Sequence, residues 1–298
     1  MPTKKNGGHP PIIKDTRMAW ITAACGKCYE CRKQKANAWK IRMLEEQKEH
    51  KICYFVTLTI DDKSYKGLKE KYDLKDDNDV ATKAMRLWLE RCRKQLKHSV
   101  KHWFITEKGH EGSKRVHLHG IIFDEKGAQM AKNHWNYGFV FIGYMVNQRT
   151  INYIVKYMLK PDTENDFEGK VLCSPALGKN YIKSHNATNN KYKGKRTDEM
   201  YRTPSGVKLR LPTYYRNQIY TEKEREALWK IRLNKGLVYV MGEEININNT
   251  KLYYESLDYY QKKSETVHKC APPKWDQTTY NQRLSNQREN IKKYKYDC

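Results

Sequence analysis

The stretch HWFITEKGHEGSKRVHLHGIIF (residues 102–123) reads as two β-rich runs, HWFITE and RVHLHGIIF, joined by a turn-like KGHEGSK. Side chains alternate faces along a strand, so His117 and His119 project from one side of the second run. Two imidazoles so placed can grip one divalent ion, each through one ring nitrogen. Pairing of the two runs as a hairpin would bring Glu107 beside the histidines. Glu107 shares its strand face with Trp103 and Ile105, an inward direction in which an unpaired carboxylate is costly. A carboxylate with two histidines suits Mg2+ or Mn2+ with open positions, an ion able to polarise a phosphodiester oxygen.

Outward from the hairpin, CYFVTLTI (53–60) has strand composition, and the mixed-charge stretch at 61–78 reads as a loop. With Asp79 as its N-cap, the next helix places Val80, Ala84, Leu87, Trp88 and Leu96 at helical spacing. Further upstream, residues 25–50 read as a basic helix with Trp39, Met43 and Leu44 on its inner side. Downstream come a short helix near 125–135, a strand at 138–146 and a helix at 148–160 that Pro161 closes. This order predicts an α+β fold, an antiparallel sheet with helices packed on it. The polar, lysine-rich residues 162–208 read as a solvated loop region, and ThrGluLysGlu at 221–224 is a capping box opening a basic helix. The chain thus divides into a flexible arm at 1–20, a folded unit at 21–160 and a basic helical and loop extension at 161–298, mobile over its last stretch.

The helix segment INYIVKYMLK (151–160) carries a second candidate group. At ~100° per residue, Ile151, Ile154, Val155, Met158 and Leu159 fill an arc of roughly 140°, a complete core face. Tyr153 and Tyr157 lie opposite, one turn apart, with Lys156 and Lys160 on the same side. A phenol is a poor nucleophile at neutral pH, and a nearby ammonium or divalent ion favours its phenolate. Attack on a DNA phosphate would form a phosphotyrosine, and two adjacent phenols would let that link pass between them.

Fifty-eight Lys and Arg against 34 Asp and Glu give a net charge of +24, which predicts attraction to polyanions, above all nucleic acid. The lysine-rich stretches at 179–210, 223–235 and 283–295 are the expected phosphate contacts, with neighbouring Tyr and Trp able to stack on unpaired bases. The longest apolar runs, such as GFVFIGYMV at 138–146, have the length of strands, far below the roughly 20 residues of a membrane helix. No membrane partner and no secretory signal are expected, which points to a soluble, intracellular protein. Cys25, Cys28 and Cys31 bunch together among 8 cysteines and read as a possible Zn2+ site, with Cys53, His9 or His50 as a fourth ligand, or as small core residues on one helix face.

Together these pieces resemble the HUH family of rolling-circle replication initiators, closest to those of small single-stranded DNA microviruses of the gokushovirus type. The segments that carry the resemblance are CGKCYECRKQKANAWKIR, FVTLTIDD, TEKGHEGSKRVHLHGIIF and YIVKYMLK, with SPALGKNY and LPTYY matching more loosely; they run in order from residue 25 to about 215. The resemblance implies a five-stranded antiparallel HUH-endonuclease sheet flanked by helices. It makes His117 and His119 the metal pair, Glu107 a third ligand, and Tyr153 and Tyr157 the nucleophiles, followed by Lys156 and Lys160. It further implies nicking of the double-stranded replicative form at its origin, a 5′-phosphotyrosine link, a 3′ hydroxyl for the host polymerase, and rejoining of the displaced strand. The implied partners are single-stranded and origin double-stranded DNA and the host polymerase and helicase, in the bacterial cytoplasm. Two other readings compete: an HUH relaxase or transposase, and a non-catalytic nucleic-acid-binding protein, which explains the charge but not two tyrosines off the core face.

Overall fold

A computed structural model of the protein describes residues 26, 28–109, 114–159, 162, 164–246 and 248–268, with scattered positions between 278 and 289. The arm at 1–20 and most of residues 269–298 lie outside these.

The sheet is built from five antiparallel strands: β1 (Tyr54–Thr59), β2 (His102–Lys108), β3 (Val116–Ile122), β4 (Val140–Met145) and β5 (Val171–Cys173), in the order β4-β1-β3-β2-β5. The fold is α+β, as the element order predicts. Alternation divides the side chains between two faces. On one face Val56, Leu58, Phe104, Leu118 and Ile122 pack against Val80, Ala84 and Trp88 of α3 (Asp77–Leu96) and against Met130 of α4 (Glu125–His134). On the other, Trp103, Ile105, Ile121 and Phe123 meet Ala36, Met43 and Leu44 of α1 (Tyr29–Gln47) and Ile151 and Ile154 of α5 (Gln148–Ile154). Hydrophobic burial on both faces makes the sheet the rigid centre of the molecule.

Four local readings differ from the structure. Residues 61–78 are not a loop, because α2 (Asp62–Tyr72) occupies most of them. The Asp61 carboxylate caps it, accepting from Ser64 N at 2.7 Å, and Leu68 is buried with Tyr65 beside it. Helix α3 is capped by Asp76 rather than Asp79, whose backbone N–H donates to the Asp76 carboxylate at 2.8 Å. The helix expected over 148–160 is α-helical only to Ile154 and then tightens to a 3-10 turn at Val155–Met158.

The fourth difference concerns residues 162–208, which are no solvated loop region: β5 completes the sheet there, and Leu177, Tyr181 and Tyr201 are buried. Tyr181 and Tyr201 join Ala187 of α6 (His185–Thr188), Leu211, Tyr215 of α7 (Thr213–Ile219) and Leu228 of α8 (Glu222–Lys235) in a cluster on the outer flank of α1, where Ile41 is buried. Helix α1 is therefore covered on two sides, and its Glu45 and Glu46 are buried with it. Glu45 accepts from Tyr201 Oη, and Glu46 accepts from Gly178 N at 2.6 Å. Arg42 Nε donates to Leu177 O at 3.0 Å while its guanidinium lies over the rings of Trp39 and Tyr214, at 4.4 and 4.0 Å. SPALGKNY and LPTYY thus act together as the clasp around α1. Gly178 sits at φ 70, and a Cβ there would lie 2.6 Å from Arg42 O, so only glycine fits. The capping box at Thr221 and Glu224 opens α8 as expected.

Candidate metal and tyrosine centre

The hairpin brings Glu107 directly opposite His117, while Thr57 of β1 stands opposite His119 on the other side of β3. Glu107 Oε2 lies 3.2 Å from His117 Nε2 and 2.9 Å from His119 Nε2. The ligand atoms of the three residues all fall within 4.8 Å of one another, and no other group of three His, Cys, Asp or Glu able to hold an ion occurs among the described residues. The second ring nitrogens are already engaged. His117 Nδ1 is 3.2 Å from Arg115 O, and His119 Nδ1 is 3.0 Å from Thr57 Oγ1. With each Nδ1 so engaged, Nε2 is the nitrogen each ring turns to the shared centre, and it would meet an ion once its own proton leaves, the arrangement that orients histidine ligands. The donor set fits a divalent ion: two borderline imidazoles and one hard carboxylate, with other positions open.

The charges are arranged to match. Burial alone would raise the Glu107 carboxyl, but the hydrogen bonds and charge of His117 and His119 bring it down to about 2. For His117, burial opposes protonation; its bonds to Glu107 and to Arg115 O outweigh that and leave its pKa above the ordinary value.

Over this group lies the tyrosine segment. Asn147 caps α5, its side chain accepting from Arg149 N at 2.8 Å and Thr150 N at 3.1 Å, and Ile151, Ile154 and Val155 anchor it to the sheet. The Tyr157 ring stacks on His119 with centroids 4.6 Å apart and planes 9° from parallel. Tyr153 Oη and Tyr157 Oη share a 2.8 Å hydrogen bond. Sequence periodicity places both phenols opposite the core, yet only Tyr153 stays out, at 50% exposure, while Tyr157 packs partly into the core. The 3-10 turn is the reason: at three residues per turn it winds Tyr157 further round than an α-helix would, toward the sheet.

Lys156 is exposed, with no side-chain hydrogen bond or ion pair among the described residues, and Lys160 lies outside them. The Tyr157 phenol is shifted upward, by burial first, then by its bond to Tyr153 and the charge of Glu107. That is opposite to the direction a neighbouring ammonium was expected to impose. Of the cysteines, Cys25 lies outside the described residues, Cys28 precedes α1 and Cys31 sits in its first turn. Cys53 is buried, its thiol pushed up to about 12 by burial and Glu46, and His50 Nε2 is engaged at 3.0 Å by Glu46.

Two contributors went unread in the sequence. Phe55 lies parallel to His119, with centroids 6.1 Å apart, and Asp62 holds Arg115 by bonds of 3.0 and 2.7 Å where β3 begins. Both belong to FVTLTIDD, whose alternation shows Phe55 and Thr57 on one face but not which strand lies beside them.

Among the described residues no helix is long and apolar enough to cross a membrane. Comparisons with curated proteins and with solved structures return no match. Residues 53–162, which contain Glu107, both histidines and both tyrosines, match the model of the family described as replication-associated protein ORF2/G2P, and this match supports a rolling-circle replication initiator.

Proposed function

We propose that this protein starts and ends rolling-circle replication by cutting and rejoining one strand of origin DNA through Tyr153 and Tyr157. The observation that carries the reading is the hydrogen-bonded phenol pair lying over a histidine of the Glu107–His117–His119 group. The protein's own donors would hold Mn2+ or Mg2+ there, and two imidazoles favour Mn2+. When bound, such an ion supplies Lewis-acid polarisation of a non-bridging phosphate oxygen.

The remaining steps belong to the side chains. One phenol oxygen attacks phosphorus, the P–O3′ bond breaks, and the 3′ oxygen leaves as a hydroxyl carrying the proton the phenol gave up. The 5′ phosphate stays on tyrosine, so the bond energy is kept for rejoining. With Tyr157 raised, the phenol is protonated at neutral pH, and its partner at 2.8 Å can relay the departing proton by taking it up as it passes its own on to the leaving 3′ oxygen. The second phenol can then attack the phosphate of the regenerated origin, and the 3′ hydroxyl so freed attacks the first phosphotyrosine, which closes the displaced circle and returns the first phenol. In this reading host polymerase and helicase extend the 3′ end in the bacterial cytoplasm, and a microvirus replicative form is the template.

Incubation with an origin single strand and Mn2+ should give a protein–DNA adduct that survives denaturation. Its absence with every divalent metal would remove the enzymatic reading.

A further inference from the structure

The aromatic surface of the site extends beyond His119. Across β1, Phe141 of the edge strand β4 pairs with Thr57, while Phe139 O accepts from Thr59 N and Phe139 N donates to Thr59 Oγ1, which places both residues on the histidine face. They are 47% and 69% exposed. Phe55 links them to the centre: it stacks beside His119 and meets the Tyr153 ring edge-on at 6.3 Å. Gly143 keeps this run free of side chains, because a Cβ there would lie 3.1 Å from both the Phe141 and the Phe55 rings. His119, Phe55, Phe141 and Phe139 therefore share one face between the ligand group and the sheet edge.

Large rings left in water beside a phosphodiester site, on a chain of charge +24, match a partner that is flat, apolar on its faces and polyanionic. Unpaired nucleobases have that chemistry. Duplex bases do not, since their faces are already stacked. We infer that Phe139 and Phe141 form a stacking platform for the single-stranded bases that flank the cut phosphate. This rests on the strand-cutting reading for the position of the phosphate, and it assigns the edge strand the task of selecting melted over paired DNA.

The test is equilibrium binding of the full chain, without metal, to two labelled single strands of equal length. One carries intact thymidines and the other abasic sites at the same positions, so the phosphates are identical. The wild-type protein should prefer the intact strand by about tenfold or more, the scale of a lost base stack. Joint Phe139→Ala and Phe141→Ala substitution should erase that preference while leaving abasic binding unchanged, and Phe141→Trp should keep it. Undiminished preference in the double-alanine variant overturns the platform. So does a wild-type protein that shows no preference, or a dimer that the double-alanine variant dissociates, which would make a second copy the occupant. Base preference without any metal-dependent adduct would sink the nuclease reading and leave the platform standing; an adduct with preference intact in the variant would do the reverse.

Discussion

Tyrosines surround α1 on two flanks, and the two groups differ in where their hydroxyls go. On the outer flank Tyr181, Tyr201 and Tyr215 are almost fully buried, and each donates to a fixed acceptor: Asn190 Oδ1 at 2.6 Å, Glu45, and Gly178 O at 2.7 Å. On the sheet side Tyr153 and Tyr157 bond to each other, and Tyr153 is half exposed. Burial is the first cause of the upward shift in Tyr157 just as in the outer three. Acidity therefore does not distinguish a reactive phenol from a structural one. The acceptor does: a hydroxyl committed to a carbonyl or carboxylate is packing material, and one bonded only to another phenol near a ligand group is free to exchange its proton.

The sharpest way to break this contrast is joint Tyr153→Phe and Tyr157→Phe substitution. It should abolish the covalent adduct in a denaturing gel while leaving the free energy of urea unfolding within about 1 kcal/mol of wild type. On the other flank, Tyr215→Ala should cost about 3–5 kcal/mol in urea unfolding, because it empties a buried site and removes the hydroxyl bond to Gly178 O. If Tyr215→Ala were benign and the phenylalanine pair unfolded the protein, the assignment of the two flanks would be reversed.

A finer test addresses the ligand group. Thr57→Val removes the Oγ1 partner of His119 Nδ1 and should weaken Mn2+ binding by about 10–100-fold in calorimetry, with little change in fold. The smallest effect is in pH. An ion needs neutral imidazoles, and His117 titrates above its ordinary 6.5, so Mn2+ affinity should climb by up to about tenfold per pH unit until His117 is neutral. Glu107, held near 2, stays ionised across that range and adds nothing to the slope. Metal-free stability should move the other way. A raised His117 stabilises the fold below its unfolded value, and that contribution is lost as pH rises through its folded value.

Much of the site was legible because it lies on regular strands. The period of two put His117 and His119 on one face, and a short turn between β-rich runs brought Glu107 to them. The tyrosine pair was legible as a pair, but the 3-10 turn that swings Tyr157 inward depends on packing that periodicity cannot express. Helix α2 was masked because charged residues fill 6 of its 11 positions, leaving Tyr65, Leu68 and Tyr72 as sparse anchors. Strand β5 has 3 residues, too few for any alternation to register. In residues 162–208 the exposed lysines set the composition, whereas the core there is tyrosine, which reads as polar until its hydroxyl partners are known.

The clasp around α1 has a practical consequence for anyone cutting the chain. A fragment ending at Pro161 would lose β5 and leave Ile41 facing water. It would also strip Glu45 and Glu46 of the hydroxyl and amide that donate to them inside the fold. Such a piece should express poorly or precipitate, while one carried past Leu228 would keep the partners of Ile41, Glu45 and Glu46.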